Sequence, residues 1–208
     1  MAGIQLDTPE SPRLDLERRA FLDLLRMTNV MVEPEAMARQ LVVLAQHLSG
    51  CRAVGLRLKN GPGFRYAAAL GFPEGFLDQE DDLCATDEEG HLLRDGKRHP
   101  LLACLCGRVL TGELDCRLPC FTTRGSFVTA STTALLAQGH GALLGPTRNR
   151  CHREGFETVG LFPIRRDGVT YGLIQCNDPR PGCLSAEAVD LLENLASTAA
   201  HLFQLAMA

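Results

Sequence analysis

Two apolar runs joined by Arg165-Arg166-Asp167-Gly168 constrain this chain more than any other feature. Residues 156–164 and 169–176 each have strand length. An Asp-Gly pair between two such runs is one of the strongest short-range hairpin signals, because the tight turn needs two residues that tolerate positive φ. A second hairpin follows from alternation. Val54, Leu56 and Leu58 fall on one face and Arg57 and Lys59 on the other, Asn60-Gly61-Pro62-Gly63 turns the chain, and residues 64–70 return. Hairpins make antiparallel strands, so the helices must lie outside them, and the expected fold class is α+β.

The helices are read from apolar spacing. Leu16, Ala20, Phe21, Leu24 and Leu25 make one stripe. Ala36, Met37, Leu41, Leu44, Ala45 and Leu48 make another, opened by Pro34 and ended by Gly50. Ser185 is placed to cap a last helix, with Glu187 in its first turn and Ala188, Leu191, Leu192, Leu195, Ala199, Leu202 and Phe203 along one side. Residues 101–110 read as a short buried helix closed by Gly112, and residues 72–100 as a long acidic loop. The expected organisation is a leader over 1–12, N-terminal helices over 13–50, and one domain over 51–208 that includes the C-terminal helix.

With 208 residues the chain can bury about 70 % of its unfolded surface in one core. Its 21 basic and 25 acidic residues leave a net charge of −4, and no dense basic run appears, so no nucleic-acid partner is expected. No apolar stretch reaches the roughly 20 residues that span a bilayer, so no membrane is expected either. The charged N-terminus lacks a signal core, and a cytoplasmic location is expected. Nine cysteines, an odd number, then sit in a reducing medium as core residues, ligands or redox groups. There is no G-x-S-x-G elbow, H-E-x-x-H or P-loop, and the chain is expected not to be an enzyme.

Gly155-Phe156-Glu157-Thr158-Val159-Gly160-Leu161-Phe162-Pro163-Ile164 and Tyr171-Gly172-Leu173-Ile174-Gln175-Cys176-Asn177-Asp178 resemble the central and partner strands of GAF domains. CLCGRVLTG (104–112), PCFTTRGSFVTASTTALLA (119–137) and TRNRCHREGFETVGLFPI (147–164) look like the GAF domains of bacterial and archaeal sensor histidine kinases. In that subgroup the middle motif commonly reads G-S-F-W-T-N-S-T-T-x-L-L-A; here Val128 and Ala130 stand where Trp and Asn are usual. The resemblance implies a six-stranded antiparallel sheet with helices on one face and a small-molecule pocket on the other. It also implies a homodimer through the terminal helices. The phosphoacceptor helix and ATP-binding boxes of a kinase are absent from the sequence, so a separate output protein, such as a kinase or regulator, is expected.

Cys151 stands among Arg148, Arg150 and Arg153, which should lower its pKa and suit it to metal ligation, haem attachment or redox work. Cys104, Cys106, Cys116 and Cys120 could hold zinc or an iron–sulfur cluster. Against this, a helix over 104–110 would turn Cys104 and Cys106 about 200° apart. Cys116 and Cys120 could instead form a redox pair, or be inert. Ser126, Thr129 and Thr132, with Ser131 and Thr133, either line a polar pocket or cap a short helix. His140 could reach into that pocket from a flexible loop, whereas His152, if Cys151 lies on a strand, faces away from it. Cys51, Cys84, Cys176 and Cys183 read as structural. The leading expectation is a sensory domain that binds a small molecule or cofactor, haem included, or that responds through its thiols. The alternatives are a free methionine-R-sulfoxide reductase and a non-binding dimerisation scaffold. Those reductases carry thiols in segments roughly matching Cys106 and Cys151, but their I-A-C-D and L-D-I-D-S signatures are absent here.

Overall fold

The computed structural model describes residues 33–96, 98–113, 118–138 and 147–206. The first helical stripe, the leader, Cys116 and His140 lie outside the described residues. Eleven elements follow in order: α1 (Pro34–Ser49), β1 (Ala53–Asn60), β2 (Gly63–Leu70), α2 (Phe76–Glu80), α3 (Cys104–Thr111), β3 (Phe127–Thr129), α4 (Thr132–Ala137), α5 (Arg150–Arg153), β4 (Thr158–Arg166), β5 (Val169–Asp178) and α6 (Ala186–Ala206).

The strands form one antiparallel sheet in the order β2-β1-β5-β4-β3. Five strands are present among the described residues, where the family resemblance implied six. The segment before β3 contributes only a single bridge, Phe121 to Phe127, because Thr122 and Gly125 fold it into a turn. The β4–β5 hairpin closes on Asp167 and Gly168 at φ +51° and +76°, the pair of positive angles its sequence called for.

Alternation along the strands sorts the core into two layers. Val54, Leu56, Ile174, Cys176, Phe162 and Ile164 face α1 and α6, which pack on the sheet and on each other. Leu41 of α1 and Phe203 of α6 are fully buried in that layer, so Leu41→Ala should cost about 2–5 kcal/mol. Residues one step along each strand face the other way. Ala53, Leu173, Val159, Leu161 and Phe127 join Cys106, Val109, Leu110, Leu135 and Phe156 in a second cluster under α3 and α4. The 72–100 segment is folded by the short helix α2 and by bridges Cys84–Leu102, Thr86–Leu92 and Arg94–Pro100. No helix among the described residues is long and apolar enough to cross a membrane.

Candidate functional site

Beside the site, on the same sheet face, lies a polar group carried by Gly55 and Arg57 of β1 and Gln175 and Asn177 of β5. Gly55 pairs with Gln175, and its missing side chain has a purpose: a Cβ there would lie 2.6 Å from the Tyr66 ring. The ring therefore lies across β1, and the Tyr66 hydroxyl donates to Gln175 Oε1 at 2.9 Å. Arg57 stacks on that ring, its Cζ 3.7 Å from the centroid.

Arg57 belongs to the polar side of its strand by alternation, yet it is fully buried, because α2 and the residues after it cover that face. Its guanidinium donates to the carbonyls of Phe64 (3.3 Å), Asp81 (2.7 Å) and Glu80. Among the described residues no carboxylate pairs with it. The Asp81 carboxylate accepts instead from Arg65 at 2.9 Å and from the Tyr66 N–H at 2.8 Å. The buried cation is thus held by carbonyl dipoles and a π face. Burial keeps the Tyr66 hydroxyl protonated, well above its ordinary range.

Next to this polar group, α3, α4, α5 and residues 147–149 enclose a mainly apolar pocket over Phe127, Val159 and Leu161, lined also by Cys104, Cys106, Cys151, Thr132, His152 and Leu135. The space open to the centre of a water-sized sphere is about 50 Å³, room for a few water molecules. Three thiols meet in its wall. Gln175 touches two of them: its Nε2 donates to Cys151 Sγ at 3.7 Å, and Cys106 Sγ lies 3.8 Å from its Oε1. Gln175 Nε2 also donates to Asn177 Oδ1 at 3.1 Å, which fixes the amide's orientation.

The thiols differ in protonation. Cys104 accepts the S–H of Cys106, and backbone N–H groups of Arg148 and Leu105 also point to it. Together these outweigh burial and hold its pKa down at about 6. The Cys106 thiol is pushed well up, first by its bond to Cys104 and then by burial. Cys151 is pushed up to about 12 by burial, reinforced by the charge of Cys104 and opposed by the Asn177 amide. The cluster thus sets one thiol of lowered pKa, Cys104, beside two whose pKa is raised.

This reverses the reading of Cys151 from its arginines. Arg150 turns to Glu154 at 2.6 Å and to Gln79, and Arg148 to Glu80 at 3.7 Å; burial then dominates at the sulfur. The helical-wheel separation of Cys104 and Cys106 also fails, for a local reason. Cys104, although the first residue of α3, has φ +67°, so the 100° step does not apply to it and its sulfur turns toward Cys106. Such an angle on a non-glycine residue is strained, and strain of this kind concentrates at functional sites.

Cys151 and His152 lie on the single turn α5 and not on a strand, so both line the pocket. Thr132 lines it too. Its hydroxyl donates to Phe156 O at 2.8 Å and lies 3.0 Å from His152 Nδ1. With the hydroxyl proton committed to Phe156, Nδ1 must be the donor to Thr132, which leaves Nε2 as the histidine's acceptor. Ser131 caps α4, accepting from Ala134 N at 3.0 Å, and Glu157 ties Ser131 and Thr133 together at 2.6 Å each.

The other candidates are placed elsewhere. Thr129 donates to Ser131 O at 3.1 Å behind the cap. Ser126 lines a separate cleft of about 310 Å³ with Arg124, Arg165 and Glu193. Cys120 is buried in the apolar cluster around Phe127. Sequence reasoning missed Cys104 as the thiol of lowered pKa, and missed Arg57, Tyr66 and Gln175, the last of which contacts Cys106 and Cys151.

The domain is similar to solved structures across nearly its whole length. The GAF domain of an Acinetobacter phosphoenolpyruvate-protein phosphotransferase matches with a TM-score of 0.60 at 13 % identity, covering 95 % of this chain and 96 % of that one. A free methionine-R-sulfoxide reductase from Neisseria meningitidis, solved with its substrate, matches at 0.60 and 12 % identity, covering 100 % and 98 %. The type II free methionine-R-sulfoxide reductase of Thermoplasma acidophilum matches at 0.53 and 15 %, covering 83 % and 96 %. At such identities the likeness is one of fold. No curated protein matches the chain. The family model for the GAF domain matches residues 33–202, from the start of α1 to the last turns of α6, and on that match the chain belongs to the GAF family.

Proposed function

We propose that this protein is a sensory GAF domain of the kinase-associated subgroup, whose input is oxidation of the pocket thiols. Cys104 is the sulfur that reacts first. The observation that carries this reading is three cysteines in the wall of one apolar pocket, with Cys104 held in a left-handed backbone conformation; its pKa is lowered while those of Cys106 and Cys151 are raised. A peroxide is the fitting oxidant. The Cys104 thiolate attacks one oxygen, the O–O bond breaks, and hydroxide leaves. The resulting S–OH condenses with Cys106 or Cys151: the S–S bond forms, the S–O bond breaks, and the partner's thiol proton completes one water. A proton from solvent, equal to the one Cys104 gave up on ionising, converts the first hydroxide to the other. Thr132 and His152 supply the polar edge for a small ligand in the same space. The pocket as it stands suits a molecule of a few atoms better than a haem. The oxidised state is reported without a catalytic cycle to a separate kinase or regulator, by a cytoplasmic homodimer joined through its terminal helices.

Peptide mapping of non-reduced protein after stoichiometric hydrogen peroxide tests this. Cys104 is expected in a disulfide with Cys106 or Cys151, and Cys104→Ser is expected to leave both partners as thiols. Recovery of Cys104 as a free thiol while the other pocket cysteines oxidise rejects the reading.

A second reading, a free methionine-R-sulfoxide reductase, is favoured by the same trio, since sulfoxide reduction needs one attacking sulfur and others to release it. Two proteins of like fold carry that activity in their names. Thioredoxin-coupled turnover of free methionine sulfoxide separates the two: sustained turnover replaces the sensor reading, and none leaves it standing.

A further inference from the structure

The sheet face opposite the pocket carries a second thiol group that the pocket chemistry does not use. Cys51 follows Gly50, the left-handed cap of α1, and Cys183 lies just before Ser185, whose hydroxyl accepts from Ala188 N at the start of α6. Their sulfurs are 4.0 Å apart although 132 residues separate them. Cys51 is buried at 2 % exposure, and Cys183 is partly open to solvent. Arg180 closes the group from outside. Its Nη2 donates to Cys183 Sγ at 3.2 Å, to Gly50 O at 2.9 Å and to Asp178 Oδ2 at 3.0 Å. Asp178 also accepts from Arg180 N, Arg180 Nε and Arg52 N, so both its oxygens are engaged.

Cys51, Cys183 and Asp178 lie close enough together to suggest a cation site. The chain's own guanidinium already fills that position, however, and a metal would have to displace it from a saturated carboxylate. The chemistry left to the pair is between the two sulfurs. We propose that Cys51 and Cys183 form a second oxidation site, independent of the pocket, that closes to a disulfide and ties the end of α1 to the start of α6.

The exposed member reacts first. The Cys183 thiol, its pKa pushed up to about 11 by burial and then by Cys51 and Asp178, first loses its proton to solvent. The thiolate, held against Arg180 Nη2, attacks one oxygen of a peroxide; the O–O bond breaks, hydroxide leaves, and Cys183 becomes S–OH. The Cys51 thiolate attacks that sulfur, the S–S bond forms, the S–O bond breaks, and a second hydroxide leaves. The two thiol protons convert both hydroxides to water, and the two electrons end on the peroxide oxygens. The sulfurs must approach by about 2 Å to reach bonding distance, a movement the turn carrying Cys183 supplies more readily than a strand. Cys176 also contacts Cys51, but β5 is fixed between β1 and β4, so Cys176 stays a thiol.

The test is hydrogen peroxide added to the reduced full chain, in wild type and in the triple variant Cys104→Ser, Cys106→Ser, Cys151→Ser, followed by non-reducing peptide mapping and thermal unfolding. A linked Cys51–Cys183 peptide is expected in both proteins, with an unfolding midpoint that rises on oxidation of the triple variant and does not rise when Cys183→Ser is added to it. Recovery of both cysteines as alkylated thiols, a Cys51–Cys176 link, or co-purifying zinc lost with Cys183→Ser overturns the proposal. If the triple variant does not fold, the wild-type map decides alone. Closure of this pair without oxidation of Cys104 rejects only the proposed function.

Discussion

The Tyr66 hydroxyl donates to Gln175 Oε1 at 2.9 Å, and the Cys106 sulfur lies 3.8 Å from the same oxygen. One buried amide thus joins the β2 side of the sheet to the roof of the pocket. Replacing Gln175 with Leu strands the Tyr66 donor and Asn177 Oδ1 in a buried setting, and each orphaned group should cost about 1–3 kcal/mol. Tyr66→Phe removes one donor and should cost about 1 kcal/mol. Urea unfolding of both single variants and the double variant is expected to give a coupling above 0.5 kcal/mol or so, as for residues in contact; additive losses would show that the hydroxyl and amide act separately.

Cys104 gives the fold a definite pH dependence. Its folded pKa of about 6 lies below the ordinary 9.0, so the folded state binds fewer protons than the unfolded state between those values. The associated stability is present in full above about 9 and is lost as pH falls through about 6. Cys151 works in the opposite sense. Its pKa is raised to about 12, and its contribution is present below about 9 and lost as pH rises through about 12. The stability of wild type relative to Cys104→Ser is therefore expected to climb from about pH 6 to about pH 9. Alkylation by iodoacetamide should be half-maximal near pH 6 at Cys104, while Cys151 stays slow throughout.

Arginine at position 57 is not replaceable by lysine. An ammonium has no plane to lie on the Tyr66 ring and no fork to reach the Phe64, Glu80 and Asp81 carbonyls together. Arg57→Lys is expected to lose about 1.5–3 kcal/mol by denaturant unfolding, the range for a charge-assisted hydrogen bond. A loss below about 0.5 kcal/mol would mean the carbonyls are satisfied in another way.

Gly55 sets the position of that ring. Gly55→Ala puts a methyl 2.6 Å from Tyr66, an overpacking expected to cost about 1–3 kcal/mol. The same variant should also weaken the Tyr66–Gln175 coupling measured above. A crystal structure of the variant with the ring unmoved would contradict this.

Asp178 governs the acid limb. Arg180, by hydrogen bonding first of all, and the surrounding N–H groups hold its pKa down to about 2, below the ordinary 3.8. Its stabilisation is present above about 4 and lost as pH falls through about 2. Wild type should lose its advantage over Asp178→Asn across that interval in acid-induced unfolding.

Both hairpins, both long described helices and α3 were readable from the sequence, because alternation, Asp-Gly and glycine caps are local signals. The polar machinery was not. Arg57 reads as a strand's outward residue, and only α2, drawn from a segment without clear periodicity, covers it. The lowered pKa of Cys104 arises first from Cys106, toward which a left-handed backbone angle turns the sulfur, and then from the backbone N–H of Arg148, which is 44 positions away in the sequence. Cys151 shows the converse error: three neighbouring arginines imply a thiolate only if their side chains face the sulfur, and here Glu80, Gln79 and Glu154 draw two of them off. Cys51 and Cys183 meet only because β1 and β5 are adjacent.

Strand β5 sends Gln175 and Asn177 to one side and Cys176 and Asp178 to the other. A hydrogen-bonded backbone layer admits no passage of side chains through it, so a sulfur on one side has no partner on the other. The molecule is in this sense partitioned like two sealed cells sharing one wall: electrons removed from the pocket trio leave the Cys51–Cys183 pair untouched, and whatever crosses must do so as a bend in the wall itself.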